Sequence, residues 1–223
     1  MLPRPSKILV VVPLLTLGCG TQSDADIPPE LLEALRQRNG SDSYPPGPTG
    51  GEEGDIATNI CFSAWENPQA QTYDPAALAE RCLADYWDPE AKTHQLLFVV
   101  SAAIWCQSCQ VEFGGAGAAP ALSVELAQRY DAGLRALGGL FQNAQGEPAT
   151  TADAVRWART FSVDFPFGVD ADFTLGRFAK ADAQPLHMLV DTATMRIVYK
   201  STGGDIALLW ERVDDWLERE RSE

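Results

Sequence analysis

The segment Trp105-Cys106-Gln107-Ser108-Cys109 follows the apolar run Leu96-Leu97-Phe98-Val99-Val100, which has the composition of a buried strand. Two cysteines separated by two residues at a strand-to-helix junction are typical of a dithiol/disulfide redox centre. On the first turn of a helix, this spacing brings the two sulfurs close enough to bond. The sequence therefore predicts a redox-active disulfide between Cys106 and Cys109.

The position of this pair at the start of a helix also predicts which sulfur reacts first. Unpaired backbone N–H groups and the helix dipole favour a thiolate at the first cysteine. Because the thiolate is the reactive form, we expect Cys106 to be the attacking nucleophile and Cys109 the resolving thiol.

Two other interpretations of the Cys-x-x-Cys remain open at this point, half of a zinc site and an inert pair. Zinc would need two further Cys or His ligands at close spacing. The chain has only His94 and His187, and they do not form a ligand-spaced pair. Redox chemistry is favoured, and we expect no metal and no cofactor beyond the disulfide itself.

The N-terminal segment predicts export. Arg4 and Lys7 precede a short apolar core, Ile8 to Leu15, and a small residue, Gly18. This arrangement is typical of a secretory signal peptide and is too short for a membrane span.

Cys19, directly after Leu17-Gly18, gives this segment a resemblance to a bacterial lipobox. The resemblance implies cleavage before Cys19, lipidation of its thiol and attachment to a membrane on the periplasmic side. Gly20 rather than Asp follows the cysteine, which by resemblance to enterobacterial sorting favours the outer membrane over the inner. The alternative is an ordinary signal peptide with an incidental cysteine.

The five cysteines are an odd number for an exported protein. With Cys19 assigned to the lipid and Cys106 paired with Cys109, Cys61 and Cys82 remain. In an oxidising compartment these two are expected to form a structural disulfide, although two separate buried thiols are an alternative. Closing a loop of roughly 20 residues would stabilise the fold by about 3 kcal/mol.

The chain is acidic, with a formal net charge of −14. Arg4 and Lys7 leave with the signal peptide and no acid does, so the mature chain would carry −16. Such a chain has no basic stripe for phosphate backbones, which disfavours nucleic acid as a partner.

Composition divides the chain into three parts. Residues 1–18 are the predicted signal peptide, residues 19–54 a lipidated cysteine with a flexible acidic linker that includes a short helix over 31–35, and residues 55–223 the folded domain. The linker is rich in Gly, Pro and Ser and too poor in large apolar groups to form a core.

The folded domain alternates strand-like and helix-like segments, which predicts an α/β architecture with a mixed sheet flanked by helices. We expect strands at 96–103 and 134–141, a hairpin of 186–191 with 195–200, and a final amphipathic helix from Ile206. Further helices are predicted after Asp74-Pro75, from Cys106 toward Tyr130 with a break near 114–120, and from a capping box at Thr150.

The Trp-Cys-x-x-Cys after a strand and Pro185 before the predicted hairpin together resemble the thioredoxin-fold superfamily. The resemblance spans roughly residues 55–220. It implies that Pro185 has a cis peptide bond and packs beside the cysteine pair, and that Trp105 shields the pair. The alternative for Pro185 is a trans proline opening an edge strand.

Within the superfamily, the region after the cysteines resembles the periplasmic TlpA-like and redoxin branch. Glu112 stands where cytochrome-maturation members carry an acid near the resolving sulfur, which implies that it accepts the Cys109 proton. Val100 stands where cytosolic thioredoxins carry a buried Asp, so Glu112 is the only acid nominated. The alternative is that Glu112 is an ordinary solvent-exposed helix residue.

The resemblance implies an enzyme, a lipid-anchored extracytoplasmic thiol–disulfide oxidoreductase. Its expected partners are protein thiols and disulfides and a membrane electron donor, and a reductase is favoured over an oxidase. A peroxiredoxin-like peroxidase is one alternative, although residues 99–106 lack the Pro-x-x-x-Thr-x-x-Cys pattern. A copper-binding lipoprotein, with His187 or Met188 completing a Cu(I) site, is the other.

Overall fold

The computed structural model describes residues 44–116, 120–203 and 206–220. The predicted signal peptide, Cys19 and the predicted helix at 31–35 lie outside these ranges. Within them the chain forms a nine-stranded mixed sheet and four α-helices. The strands are β1 (Thr49–Gly50), β2 (Ile56–Ala57), β3 (Cys61–Trp65), β4 (Ala79–Cys82), β5 (Leu96–Ala103), β6 (Leu134–Gln142), β7 (Phe167–Val169), β8 (Leu186–Asp191) and β9 (Arg196–Thr202). The helices are α1 (Gln107–Gly114), α2 (Leu122–Tyr130), α3 (Thr151–Thr160) and α4 (Ile206–Glu220).

Strand β5 is central in the sheet, whose order is β1-β2-β9-β8-β5-β6-β7-β3-β4. It pairs parallel with β6 and antiparallel with β8, and all eight of its residues are buried. Phe98 and Val100 belong to one apolar cluster, and Leu97 and Val99 to the other. The continuous apolar run is therefore explained by a strand that is covered on both faces.

Most of the predicted elements are present. Strand β5 has the predicted bounds, β6 ends one residue later than expected, and β8 and β9 form the predicted hairpin. Helix α3 begins at the predicted capping box, in which Thr150 and Asp153 cap each other. The predicted break separates α1 from α2, and it starts at Gly115, whose φ of 74° lies in the region that favours glycine. Within the described ranges, no helix combines the length and hydropathy needed to cross a bilayer.

The prediction of an α-helix after Asp74-Pro75 is wrong. Asp74 does accept a hydrogen bond from the Ala76 N–H, but the turn it caps is a short 3-10 helix, Pro75–Ala77. Strand β4 follows, paired antiparallel with β3. The one-turn spacing of Leu78 and Cys82 favoured a helix, whereas pairing with β3 and the disulfide at its end stabilise a strand.

The ordered domain also extends upstream of its predicted start at residue 55. Thr49–Gly50 pairs with β2, and the Tyr44 hydroxyl donates a hydrogen bond of 2.7 Å to the Ala57 carbonyl oxygen. The C-terminal part of the predicted linker, from Tyr44, thus belongs to the fold. This part is held by the Tyr44 side chain and by a few backbone hydrogen bonds. Its composition is still that of a linker, so the sequence did not predict that it belongs to the fold.

The β3–β4 hairpin forms one end of the sheet. Strand β3 pairs with β7 so closely that a Cβ atom on Gly168 would lie 1.9 Å from the Ser63 carbonyl oxygen. Strand β4 is four residues long and is the outermost strand on this side. Its residues Ala79 and Glu80 are exposed.

Candidate redox site

Cys106 lies between the end of β5 and the start of α1. It is the N-cap residue of α1, and its backbone N–H bonds to the Ala103 carbonyl oxygen at 3.1 Å. Its sulfur accepts a hydrogen bond from the Cys109 backbone N–H at 3.1 Å. The sulfur is therefore held at the positive end of the helix, as the spacing predicted.

Cys106 and Cys109 form a disulfide, with their Cα atoms 5.3 Å apart. Cys106 is 4% exposed, whereas Cys109 is completely buried. Of the two cysteines, Cys106 is thus the one with any surface open to solvent. This asymmetry supports the predicted order, in which Cys106 exchanges with the substrate and Cys109 resolves.

Trp105 is not a core residue, since 40% of it is exposed. Its indole N–H donates a hydrogen bond of 2.9 Å to the Gln142 side-chain oxygen, at the end of β6. The ring is thus held at the surface beside the first cysteine in sequence. Its role as a shield remains a prediction.

Pro185 has the cis peptide bond that the resemblance implied. The next residue, Leu186, pairs with Ser101 near the carboxyl end of β5, the end that leads to Cys106. Gln184 is buried and its side chain bonds to backbone groups only, accepting from the Leu186 N–H and donating to the Lys180 carbonyl oxygen. The structure thus brings this proline to the cysteine edge of the sheet.

Glu112 faces the interior from α1. Its side chain is 8% exposed, and its Oε2 atom lies 2.8 Å from the Nε2 atom of His187, which is completely buried on β8. The alternative of a solvated helix residue is therefore wrong. Glu112 follows Cys109 by three residues, so the two side chains share one face of the helix.

The pairing of Glu112 with His187 was missed from the sequence. The available signal was a single histidine within the apolar run Leu186-His187-Met188-Leu189-Val190, two residues after Pro185. A histidine on a buried strand needs a polar partner. Glu112 lies 75 positions away in the sequence, so no local pattern identifies it as that partner.

Comparison with known proteins gives the fold its name. No protein-family model matches the sequence, and no curated protein is detectably similar to it in sequence. The structure is similar to a Chlorobium tepidum protein described as a thiol:disulfide interchange protein DsbE, with 15% identity, a TM-score of 0.51, and coverage of 74% of this chain and 98% of the other. A Bacteroides thetaiotaomicron protein described as a protein disulfide isomerase matches with 15% identity, a TM-score of 0.52, and coverage of 77% and 95%.

A third similar structure is the reduced 2-Cys peroxiredoxin of Plasmodium vivax, with 11% identity, a TM-score of 0.54, and coverage of 78% of this chain and 85% of the other. The chain has a thioredoxin-like fold. The predicted fold class is thus confirmed, and the chemistry rests on this chain's own residues.

The copper alternative invoked either His187 or Met188 as a ligand beside the cysteine pair. These neighbouring residues of β8 lie on opposite faces of the sheet in the thioredoxin-like fold. Met188 belongs to the apolar cluster on one face of the sheet, while both cysteines belong to the cluster on the opposite face. The Nε2 atom of His187 is already engaged by Glu112. Met188 therefore cannot join a copper site with the cysteine pair.

Cys61 and Cys82 form the second disulfide, on the β3–β4 hairpin of the thioredoxin-like fold. Both residues are half-buried. Among the described residues, the one set of three His, Cys, Asp or Glu side chains close enough to hold a metal is Cys61, Glu80 and Cys82. Because the two sulfurs are bonded to each other, they are not free to act as metal ligands.

Proposed function

We propose that the protein is an extracytoplasmic thiol–disulfide oxidoreductase that reduces disulfides in other proteins through Cys106 and Cys109. The observation that carries this proposal is the hydrogen bond from the Cys109 N–H to the Cys106 sulfur, at the N-terminus of α1. In the reduced protein the same donor and the helix dipole stabilise a thiolate at Cys106.

The reaction runs through one mixed disulfide. The Cys106 thiolate attacks a substrate disulfide, so that one substrate sulfur leaves as a thiolate and the other is bonded to Cys106. The Cys109 thiol then loses its proton and attacks the Cys106 sulfur, which releases the second substrate thiolate. The substrate gains two electrons and the protein loses two, forming the Cys106–Cys109 disulfide.

Glu112 is the proposed acceptor of the Cys109 proton. Cys109 is completely buried and has no direct access to water, so its proton must pass to a protein group. Glu112 supplies a carboxylate one turn further along α1, on the same helix face.

A second dithiol must return two electrons to the oxidised pair, and the proposed source is a membrane electron donor. This fits the proposed export and lipidation at Cys19, which would hold the domain at the periplasmic surface of the outer membrane. The reductive direction is proposed because it is the one in which a Glu112 carboxylate accepts the Cys109 proton; the oxidative direction would need the protonated acid, and the potential of the pair distinguishes the two.

Trapping of partners tests the proposal. The Cys109→Ala variant is expected to accumulate mixed disulfides through Cys106, because the attacking thiol remains and the resolving thiol is gone. The Cys106→Ala variant is the matched control and should trap none. If Cys109→Ala traps no protein but consumes peroxide, the peroxidase alternative replaces this proposal.

The equilibrium potential of the Cys106–Cys109 pair against glutathione tests the direction. A value below about −230 mV is expected for a reductant, and one above about −150 mV would make the protein an oxidant.

A further inference from the structure

His187 and Glu112 form a polar pair inside an otherwise apolar region. The two side chains come from β8 and α1, and they meet at 2.8 Å. The ring of Phe98 lies against the imidazole, with centroids 5.9 Å apart, and Trp210 lies against Phe98 in turn. Burying two polar groups among aromatic rings is costly unless each satisfies the other.

The proposed role of Glu112 as a proton acceptor requires a carboxylate, and this assigns the hydrogen of the pair. An ionised carboxylate only accepts hydrogen bonds, so the Nε2 atom carries the hydrogen and donates it to Oε2 of Glu112. The other ring nitrogen, Nδ1, is buried and has no hydrogen-bond partner among the described residues. Ser201 lies directly opposite His187 on β9, and its hydroxyl is also buried and without a partner in that part of the chain.

We propose that His187 is a positioning residue for Glu112 in the resolving step, an inference that rests on the proposed function. The Nε2–H donor holds Oε2, which leaves Oε1 as the atom that accepts the proton from Cys109. A carboxylate can accept the proton at this step, whereas a neutral carboxyl group cannot. Binding of the Cys109 proton at Oε1 leaves the Nε2–H in place.

The apolar cluster on this face of the sheet includes Phe98 and Val100 of β5, Cys109 of α1 and residues Leu209, Trp210 and Val213 of α4. Val100 lies opposite His187 in the pairing of β5 with β8. The nearest titratable side chains on the neighbouring elements are Tyr199 of β9 and Arg212 of α4, which line a small cavity of their own. Lys200 is engaged elsewhere, with Gly51 and Glu52. Among the described side chains, His187 is thus the one identified hydrogen-bond donor to the Glu112 carboxylate.

Reaction of the reduced protein with the chromogenic disulfide 5,5′-dithiobis(2-nitrobenzoate) tests this role. The first thionitrobenzoate released reports attack by Cys106, and the second reports resolution by Cys109. We expect His187→Leu to slow the second release about tenfold or more at neutral pH while the first is unchanged. His187→Gln should stay within about twofold of wild type, because its amide N–H occupies the place of the Nε2 donor.

A double substitution separates positioning from a structural role. If His187 acts through Glu112, the double variant Glu112→Gln/His187→Leu resolves no more slowly than Glu112→Gln alone. The pH at which the second release reaches half its maximum should rise in His187→Leu and stay unchanged in His187→Gln. His187→Asn, whose amide is too short to reach Glu112, serves the same comparison if His187→Leu does not fold.

The control is His94→Gln, which changes the other histidine near the start of β5, at the opposite edge of the sheet from Cys106. It should leave both releases unchanged. A normal second release in His187→Leu, or rate losses that multiply in the double variant, would overturn the positioning role. Absence of the first release from the reduced wild-type protein would instead contradict the proposed function.

Discussion

Cys61 lies directly opposite Cys82 in the antiparallel pairing of β3 with β4, and their Cα atoms are 4.1 Å apart. The register places this disulfide beyond Val169, at the carboxyl end of β7. Strands β5, β6 and β7 run parallel, so the disulfide lies at the same edge of the sheet as Cys106, three to four strands away. The same ends of the parallel strands therefore lie beside both disulfides, the Cys106–Cys109 pair and the bridge that joins β3 to β4.

Replacing both Cys61 and Cys82 by Ala should lower the free energy of unfolding by about 3 kcal/mol, because the unfolded chain is no longer closed into a loop. Urea denaturation of the oxidised protein measures the loss. Mild dithiothreitol should open the Cys106–Cys109 disulfide well before the Cys61–Cys82 disulfide. An unchanged unfolding free energy in the double variant would remove the structural role.

In the reduced protein, Cys106 should be alkylated before Cys109 near pH 6. The Cys109 N–H and the N-terminus of α1 stabilise the Cys106 thiolate, while Cys109 is completely buried. Mass mapping of the labelled peptides after short exposure to iodoacetamide distinguishes the two sites. Preferential labelling of Cys109 would reverse the assigned roles.

Gly168→Ala should destabilise the sheet more than Gly139→Ala does. A Cβ at Gly168 would lie 1.9 Å from a backbone oxygen of β3, so the strands themselves must separate, and a loss of about 3 kcal/mol is expected. At Gly139 the nearest atom is the end of the Leu175 side chain, at 3.0 Å, which can move. Urea denaturation of the two variants makes the comparison, and equal losses would show that β3 is not tightly held.

Asp88 should contribute stability that is lost in acid. Burial raises the pKa of its carboxyl group, but hydrogen bonds from the Thr93 N–H and hydroxyl and from the His94 N–H outweigh this and hold the pKa well below its usual value. A lowered folded-state pKa stabilises the fold above the unfolded value of about 3.9, and the stabilisation disappears as the pH falls through the folded-state pKa.

Asp88→Asn should therefore cost more stability at pH 7 than at pH 3, as measured by urea denaturation at both values. Asp182→Asn, at an exposed position, is the control and should cost little at either pH. A loss in Asp88→Asn that is the same at pH 7 and pH 3 would contradict the assignment of acid sensitivity to this carboxylate.

Cys19→Ser should move the protein from the membrane fraction to the soluble periplasmic fraction, because it removes the thiol at which lipidation is proposed. Fractionation of cells that express the two forms, with immunodetection, measures the change. Retention of Cys19→Ser in the membrane would show that some other feature holds the protein there.

The central strands were predictable because their signal is local. The run from Leu96 and the cysteine spacing determine β5 and the start of α1 whatever the rest of the chain does. Thr150 and Asp153 likewise mark the start of α3 within four residues.

The outer strand β4 and the Glu112–His187 pair were not predictable, because each depends on residues that are distant in the sequence. Strand β4 is a strand because β3 lies beside it, although its own residues have a spacing that also suits a helix. His187 is paired with Glu112 because β8 crosses beneath α1, and neither residue carries a local signal for the other. Glu112 is predicted from the sequence through resemblance alone, and the histidine in the apolar run after Pro185 shows only that some polar partner is needed.

The short outer strand β4 has a consequence for the proposed function, in which substrate proteins would expose backbone while their disulfides are open. An unfolded segment can add to any long, apolar sheet edge, and the complex then aggregates. Strand β4 offers only four residues, with the charged side chains of Glu80 and Arg81 at its centre, and the disulfide at Cys82 prevents it from shifting register. This side of the sheet is therefore a poor template for the backbone of an unfolded chain.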